Sequence, residues 1–291
     1  MIYDCIIIGS GPAGISASLY LKRSGQNILV LTTHDSALLK AELVENYYGT
    51  GAISGIELYN EGIKQAKALK IEIKEEQVFS AGMIPLPNNA LGFSVKTDKE
   101  TYCTKTIVLA TGTKRSIPHV VNIKDYVDKN ISFCAICDGF FYRNKDVYVL
   151  GYGKYAMSEA EELSRIAKSV TILTNGHNSE FTDKEGINVI KTPIKQFIGE
   201  NKLEQILFID DSTIDVPGLF VAWGVAGGYD FARKIGIAVE NNKIIVNDKM
   251  ETNVKGFYAC GDVIGMPYQV SSAVYEGSKA AYAINDLLKQ K

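Results

Sequence analysis

The chain has 291 residues, 46% hydrophobic and 22% charged, and 31 basic against 33 acidic side chains leave a net charge of −2. At roughly 100–200 residues per domain this length predicts two domains, and the balanced charge excludes an electrostatic nucleic-acid binder. No apolar run approaches the roughly 18 residues of a membrane span, and the opening MIYDCIIIGSG lacks the basic start of a signal peptide, so a cytoplasmic protein with no membrane partner is expected.

Tyr3 to Ile8 is a short, nearly all-apolar run, the pattern of a strand buried on both faces of a parallel sheet. It enters Gly9-Ser10-Gly11-Pro12-Ala13-Gly14, then apolar residues at helical spacing, then a second strand over Ile28 to Leu31. Strand, glycine turn and helix in that order form a βαβ nucleotide unit. Gly9 permits the tight turn, Gly11 lets backbone approach a pyrophosphate, and Gly14 lets helix and strand pack closely. The helix N-terminus offers unsatisfied N–H groups to phosphate oxygens. The acidic residue that would hold ribose hydroxyls is missing, because this strand runs out as Leu31-Thr32-Thr33.

The same phrase returns 142 positions later as Val147 to Leu150, then Gly151-Tyr152-Gly153-Lys154-Tyr155-Ala156, a helix predicted over 159–167, and a strand over 170–173. Each copy ends in a strand and turn, Thr106 to Gly112 in the first and Gly218 to Gly224 in the second. A last strand, Phe257 to Cys260, meets Gly261-Asp262, and a small-residue helix begins at about Ser271. That final segment is redundant for the second copy and is expected to complete the first. The reading is an α/β fold of two Rossmann-like nucleotide-binding domains, three-layer ββα in kind, with residues 1–114 and 219–291 in one and the inserted residues 115–218 in the other. Turn signals near Lys114 to Pro118 and Val216 to Gly218 mark the hinges.

Of five cysteines, only Cys134 and Cys137 form a pair, spaced Cys-x-x-Cys and followed by Asp138. A zinc site needs four ligands, and no second pair of cysteines or histidines exists, so no metal is expected. A dithiol that cycles with a disulfide gains and loses protons, and an adjacent carboxyl serves that chemistry.

The run from Phe133 through Cys134-Ala135-Ile136-Cys137-Asp138 to Asn144 resembles the low-molecular-weight thioredoxin reductases over essentially the whole chain. So do the Gly9 to Gly14 turn, Val44-Glu45-Asn46, Ala110-Thr111-Gly112 and Gly261-Asp262-Val263. The resemblance implies FAD held by Gly9, Ser10, Gly11, Pro12, Ala13, Gly14 and Thr32. Asn46, Ala110, Thr111 and Gly112 would line it, Asp262 would face its ribityl or phosphate region, and Gln269 and Val270 would approach its ring. It also implies a homodimer, a rotating inserted domain and thioredoxin as substrate. Cys137 would face the flavin, Cys134 would attack the substrate disulfide, and Asp138 would donate the proton.

The second copy departs from the family's NADPH-dependent members. The arginine cluster that clamps a 2′-phosphate is replaced by Leu173-Thr174-Asn175-Gly176-His177-Asn178, and no arginine lies between Arg165 and Arg233. At roughly 1.5–3 kcal/mol per charged hydrogen bond, losing two weakens binding by about two to four powers of ten. Tyr152 and Tyr155 stand where small residues are usual, and no basic residue follows Tyr268. NADPH is therefore not expected as donor. The pattern is similar to ferredoxin-dependent flavin thioredoxin reductases, which implies reduced ferredoxin as the donor, drawn to Lys114, Arg115, Arg143 and Lys145 around the redox motif. An NADPH- or NADH-dependent reductase and an oxygen-using dithiol oxidase are the alternative enzymes of the same fold.

Overall fold

A computed structural model describes residues 1–87, 90–113, 118–127, 129–224, 227–241 and 243–289. The chain forms two compact units, Met1–Lys114 with Gly227–Lys291, and Arg115–Ala226.

The first unit begins with β1 (Ile2–Ile8), α1 (Pro12–Arg23) and β2 (Ile28–Thr32), followed by α2 (Gly55–Ala68) and β3 (Glu72–Glu75). Ser54 caps α2 in a reciprocal box with Glu57. Then come β4 (Val78–Pro85), β5 (Leu91–Thr97) and β6 (Thr101–Leu109). The strands order β3-β2-β1-β6-β5-β4, parallel at the β3 end and antiparallel through β4 and β5.

Both faces of β1 are covered, as its apolar run predicts. Cys5 and Ile7 pack with Ala17 and Leu21 of α1, whereas Ile6 and Ile8 pack with Phe93 and Val95 of β5. Successive side chains on a strand point to opposite faces, so one run serves two cores.

The second unit contains β7 (Ile131–Ser132), α3 (Ala135–Asp138), β8 (Asp146–Leu150), α4 (Lys154–Ser164), β9 (Ser169–Leu173) and β10 (Ile187–Ile190). A meander follows, β11 (Ile194–Ile198), β12 (Gln205–Phe208) and β13 (Thr213–Asp215), then β14 (Leu219–Val221). Its main sheet is parallel, in the order β10-β9-β8-β14-β7. The helix predicted over 159–167 starts earlier, at Lys154, because the glycine turn delivers the chain directly into it.

The chain then returns to the first unit through α5 (Gly228–Lys234), the small hairpin β15 (Val239–Glu240) and β16 (Lys243–Ile244), β17 (Phe257–Ala259) and α6 (Val270–Lys289). β6 pairs with β5 through Thr101 to Thr104 and with β17 through Ile107 to Leu109. The β4–β5 ribbon thus peels away as a third layer while β17 continues the parallel sheet.

The second break between units falls after residue 226 rather than at the expected 218/219. Leu219–Val221 is a strand of the second sheet, bonded to β7 and β8, and Gly218 lies against the ring of Tyr142. The hinge residues Lys114, Arg115, Ser116 and Ile117 lie outside the described residues.

Candidate functional site

In both units the first glycine of the turn rests on the carbonyl of an alanine at the end of a neighbouring strand, Gly9 on Ala110 and Gly151 on Ala222. The repeat read from the sequence is thus a repeat of geometry.

In the first unit the strand order reverses between β1 and β6, and ligands of doubly wound sheets bind outside the carboxyl ends of the strands at such a point. Gly9 to Gly14 and Ala110 to Gly112 flank that crevice. Gly9 takes φ +109°, and a β-carbon on it would run into the Ala110 carbonyl. A β-carbon on Gly14 would collide with the carbonyl of Gly9. Pro12 opens α1 behind Gly11, and Ala13 packs beneath Gly261. Thr111 Oγ1 is buried with no hydrogen-bond partner among the described residues, and Asp262 is a half-buried carboxyl pushed up by its own burial. Glu276, raised chiefly by burial too, accepts the Gly261 N–H at 2.7 Å. A backbone cradle without side chains, an orphaned hydroxyl and an available acceptor fit a bound dinucleotide such as FAD.

The other expected cofactor residues fall into two groups. Asn46 and Gln269, far apart in sequence, meet through Asn46 Nδ2 and Gln269 Oε1 at 2.9 Å, with Val270 starting α6 beside them. Ser10 and Thr32 are buried and bond each other at 2.6 Å, which turns their hydroxyls inward. Two residues unread in the sequence join them. Tyr59 bonds Ser10 at 2.6 Å and His34 Nδ1 at 3.0 Å, so a chain of hydroxyls and an imidazole stands where a ribose-binding carboxylate is ordinarily found.

In the second unit, Cys134 and Cys137 are joined by a disulfide. Cys134 caps the short helix α3, and its Sγ accepts the N–H of Cys137 at 3.1 Å. Ser132 Oγ donates to Asp138 Oδ2 at 2.6 Å and accepts the N–H of Cys134 at 3.1 Å, tying the carboxyl to the dithiol loop. From α4 the buried Glu159 accepts the N–H of Ala135 at 3.1 Å. Its signal in the sequence is a charged residue on the core-facing side of an amphipathic helix. Cys134 is buried and Cys137 half-buried, whereas Ile136, Phe140 and Phe141 expose large apolar surfaces in the same segment. The remaining thiols are free, and burial pushes Cys5 up to about 12 and Cys260 upward as well, so neither competes as a thiolate.

Ser132→Ala removes both ties of the loop at once. It is expected to destabilise the second unit by about 1–3 kcal/mol and to slow disulfide turnover. Thermal melts alongside steady-state rates check this, and an unchanged rate would separate Ser132 from the chemistry.

Among the described residues there is no cluster able to hold a metal ion and no helix long and apolar enough to cross a membrane. Arg143 and Lys145 are exposed, whereas Lys114 and Arg115 lie outside the described residues.

The profile of the pyridine nucleotide-disulphide oxidoreductases matches residues 3–277. The thioredoxin reductase of Ureaplasma parvum serovar 3 is 33% identical over 300 residues, covering 96% of this chain and 95% of that one. The atypical thioredoxin reductase TRi from Desulfovibrio vulgaris Hildenborough superposes with a TM-score of 0.87 at 34% identity, covering 99% of each chain. A ferredoxin-flavin thioredoxin reductase from Clostridium acetobutylicum gives a TM-score of 0.70 at 29% identity, again over 99% of each.

Proposed function

The chain belongs to the pyridine nucleotide-disulphide oxidoreductase family, and on that premise we propose that it is a flavin-dependent thioredoxin reductase whose electrons come from reduced ferredoxin. The observation that carries the reductase reading is the Cys134–Cys137 disulfide at the start of α3, with Asp138 tied to it through Ser132. FAD, when bound, supplies the capacity to accept electrons singly and release them as a pair. Gly9 to Gly14, Ala110 to Gly112 and Asp262 would hold it, with Asn46, Gln269 and Val270 alongside.

Within the dithiol loop the hydrogen bonds support a division of labour. Two-electron reduction of the disulfide leaves two sulfurs, and the N–H of Cys137, which meets Cys134 Sγ in the disulfide form, supports Cys134 as the attacking one. Cys134 attacks a sulfur of the thioredoxin disulfide, and Cys137 then displaces it, which reforms the internal bond and releases thioredoxin as a dithiol. Asp138 supplies the proton to the departing sulfur. Cys134 is buried in the oxidised form, so its attack requires the loop to be uncovered first. Ile136, Phe140 and Phe141 offer an apolar face to the incoming protein, and Arg143 and Lys145 offer positive charge to an acidic donor. The same reading makes the enzyme a cytoplasmic homodimer.

The donor assignment rests on the second nucleotide fold, which has no arginine between Arg165 and Arg233. A plant-type ferredoxin near −400 mV reducing a thioredoxin near −270 mV releases about 6 kcal/mol for two electrons. Anaerobic titration of the yellow protein decides the matter. Photoreduced ferredoxin is expected to bleach the flavin band and support thioredoxin reduction, with NADPH inert. Fast bleaching by micromolar NADPH would return the enzyme to the pyridine-nucleotide-dependent reading that its family name and thioredoxin reductase relatives favour.

A further inference from the structure

The two glycine crevices correspond position by position. Ile8 pairs with Leu31 and Leu109 in the first unit, as Leu150 pairs with Leu173 and Val221 in the second. Ser10 therefore corresponds to Tyr152, Thr32 to Thr174, and Thr111 to Trp223. At the crevice of the first unit these residues are small. In the second unit two of the three are large and aromatic.

The strand order of the second sheet reverses between β8 and β14, which makes the loops after these strands the rim of its ligand crevice. Tyr152 follows β8, Trp223 follows β14, and His177 comes from the loop after β9. The Tyr152 and His177 rings stack at 4.5 Å with planes 15° apart. Trp223 meets both edge to face, at 4.9 Å from Tyr152 and 5.0 Å from His177. Three rings from three adjacent strand ends thus fill the mouth of the crevice with their own contacts.

Two polar groups at the rim are also engaged. Glu180 donates its N–H to the Tyr152 carbonyl at 2.8 Å, and its carboxylate stands over Gly153, the capping residue of α4. A pyrophosphate in this fold would need that helix N-terminus, and Glu180 already brings a negative charge there. Asn175 Oδ1 accepts the Ile194 N–H at 2.7 Å and is engaged there, whereas Thr174 is fully buried with its Oγ1 unpartnered among the described residues, beneath the surface that a ribose would meet.

We propose that the second nucleotide crevice is closed by the chain itself, with the Tyr152–His177–Trp223 cluster in place of the dinucleotide's rings and the Glu180 carboxylate in place of its phosphates. These four residues are then specificity determinants that reject pyridine nucleotides by occupancy, in addition to the missing arginines. The inference rests on the donor reading above and deepens it.

Trp223 is the only tryptophan in the chain, so its fluorescence reports directly on the crevice. Flavin-loaded wild-type protein titrated with NADH and with NADPH is expected to show no saturable change in that emission up to millimolar nucleotide, and no calorimetric binding. Tyr152→Gly combined with His177→Ala opens the crevice while keeping the reporter. That variant is expected to bind NADH and NADPH at least tenfold more tightly than wild type, with little preference between them because no arginine reads the 2′-phosphate. Glu180→Gln, a change at an exposed side chain, is expected to give a smaller gain and covers the case in which the double variant does not fold.

Saturable wild-type binding of either nucleotide would overturn the inference. So would opened variants that melt and carry flavin like wild type yet remain blind to both. In that second outcome the ferredoxin reading survives, whereas rapid bleaching of wild-type flavin by NADPH would remove both.

Discussion

Cys137→Ser protein is expected to keep its yellow colour and lose thioredoxin reduction by about 10³-fold or more. A serine oxygen cannot close a bond to Cys134, so the resting disulfide and the resolving step disappear together, while the residues proposed to hold FAD are untouched. The variant also isolates the attacking sulfur. With Cys137 gone, Cys134 remains as a thiol whose capture by thioredoxin disulfide stops at the mixed disulfide, visible as a stable adduct on a non-reducing gel. Cys134→Ser protein is expected to lose turnover equally and form no such adduct. An adduct that appears only with Cys134→Ser would reverse the roles, in keeping with Cys137 being the less buried of the two.

Gly9→Ala and Gly14→Val should each yield protein that is colourless or nearly so. At Gly9 a side chain meets the Ala110 carbonyl and must also adopt φ +109°; at Gly14 it meets the Gly9 carbonyl. Collision and strain together cost about 2–5 kcal/mol at Gly9, a large share of the roughly 5–15 kcal/mol that holds a domain folded. Flavin content per chain and melting temperature should fall together. Gly25→Ala is the control. It shares a left-handed φ of +82° but has open space around it, so it should cost only about 1–2 kcal/mol and leave the flavin content unchanged. Full flavin in Gly9→Ala and Gly14→Val would show that the turn does not hold the cofactor.

Residues with short-range signatures were legible in the sequence. Gly9 to Gly14, the Cys-x-x-Cys pair and the second glycine turn all lie within a strand, turn and helix, where spacing alone dictates what neighbours what. The return of Phe257–Ala259 to the first unit was readable too, because the segment was superfluous to the second.

What escaped depends on contacts between distant segments. Tyr59 bonds Ser10 across 49 residues, and nothing local to an ordinary amphipathic helix marks it. Leu219–Val221 has the pattern of the strand that ends the second copy and does pair with β7 and β8, so the turn signal at Val216 to Gly218 precedes that last strand and the later break falls after residue 226. Tyr152 was legible as an anomaly, but its stacking on His177 depends on the loop after β9 folding back onto the glycine turn, which spacing alone does not give.

The handover of β6 from β5 to β17 has a consequence for biosynthesis. During translation the N-terminal half of the first unit emerges with one flank of β6 bare and with α1 lacking α6, its partner through Ala280 and Ile284. The ribosome must then deliver the entire inserted unit, whose sheet is built wholly from its own segment, before Phe257–Ala259 can dock. Nascent chains halted just after residue 226 should therefore carry a protease-resistant inserted lobe on an unfinished base. Gly261 and Asp262 emerge only after that point, so the set of residues proposed to hold FAD is complete only late in synthesis.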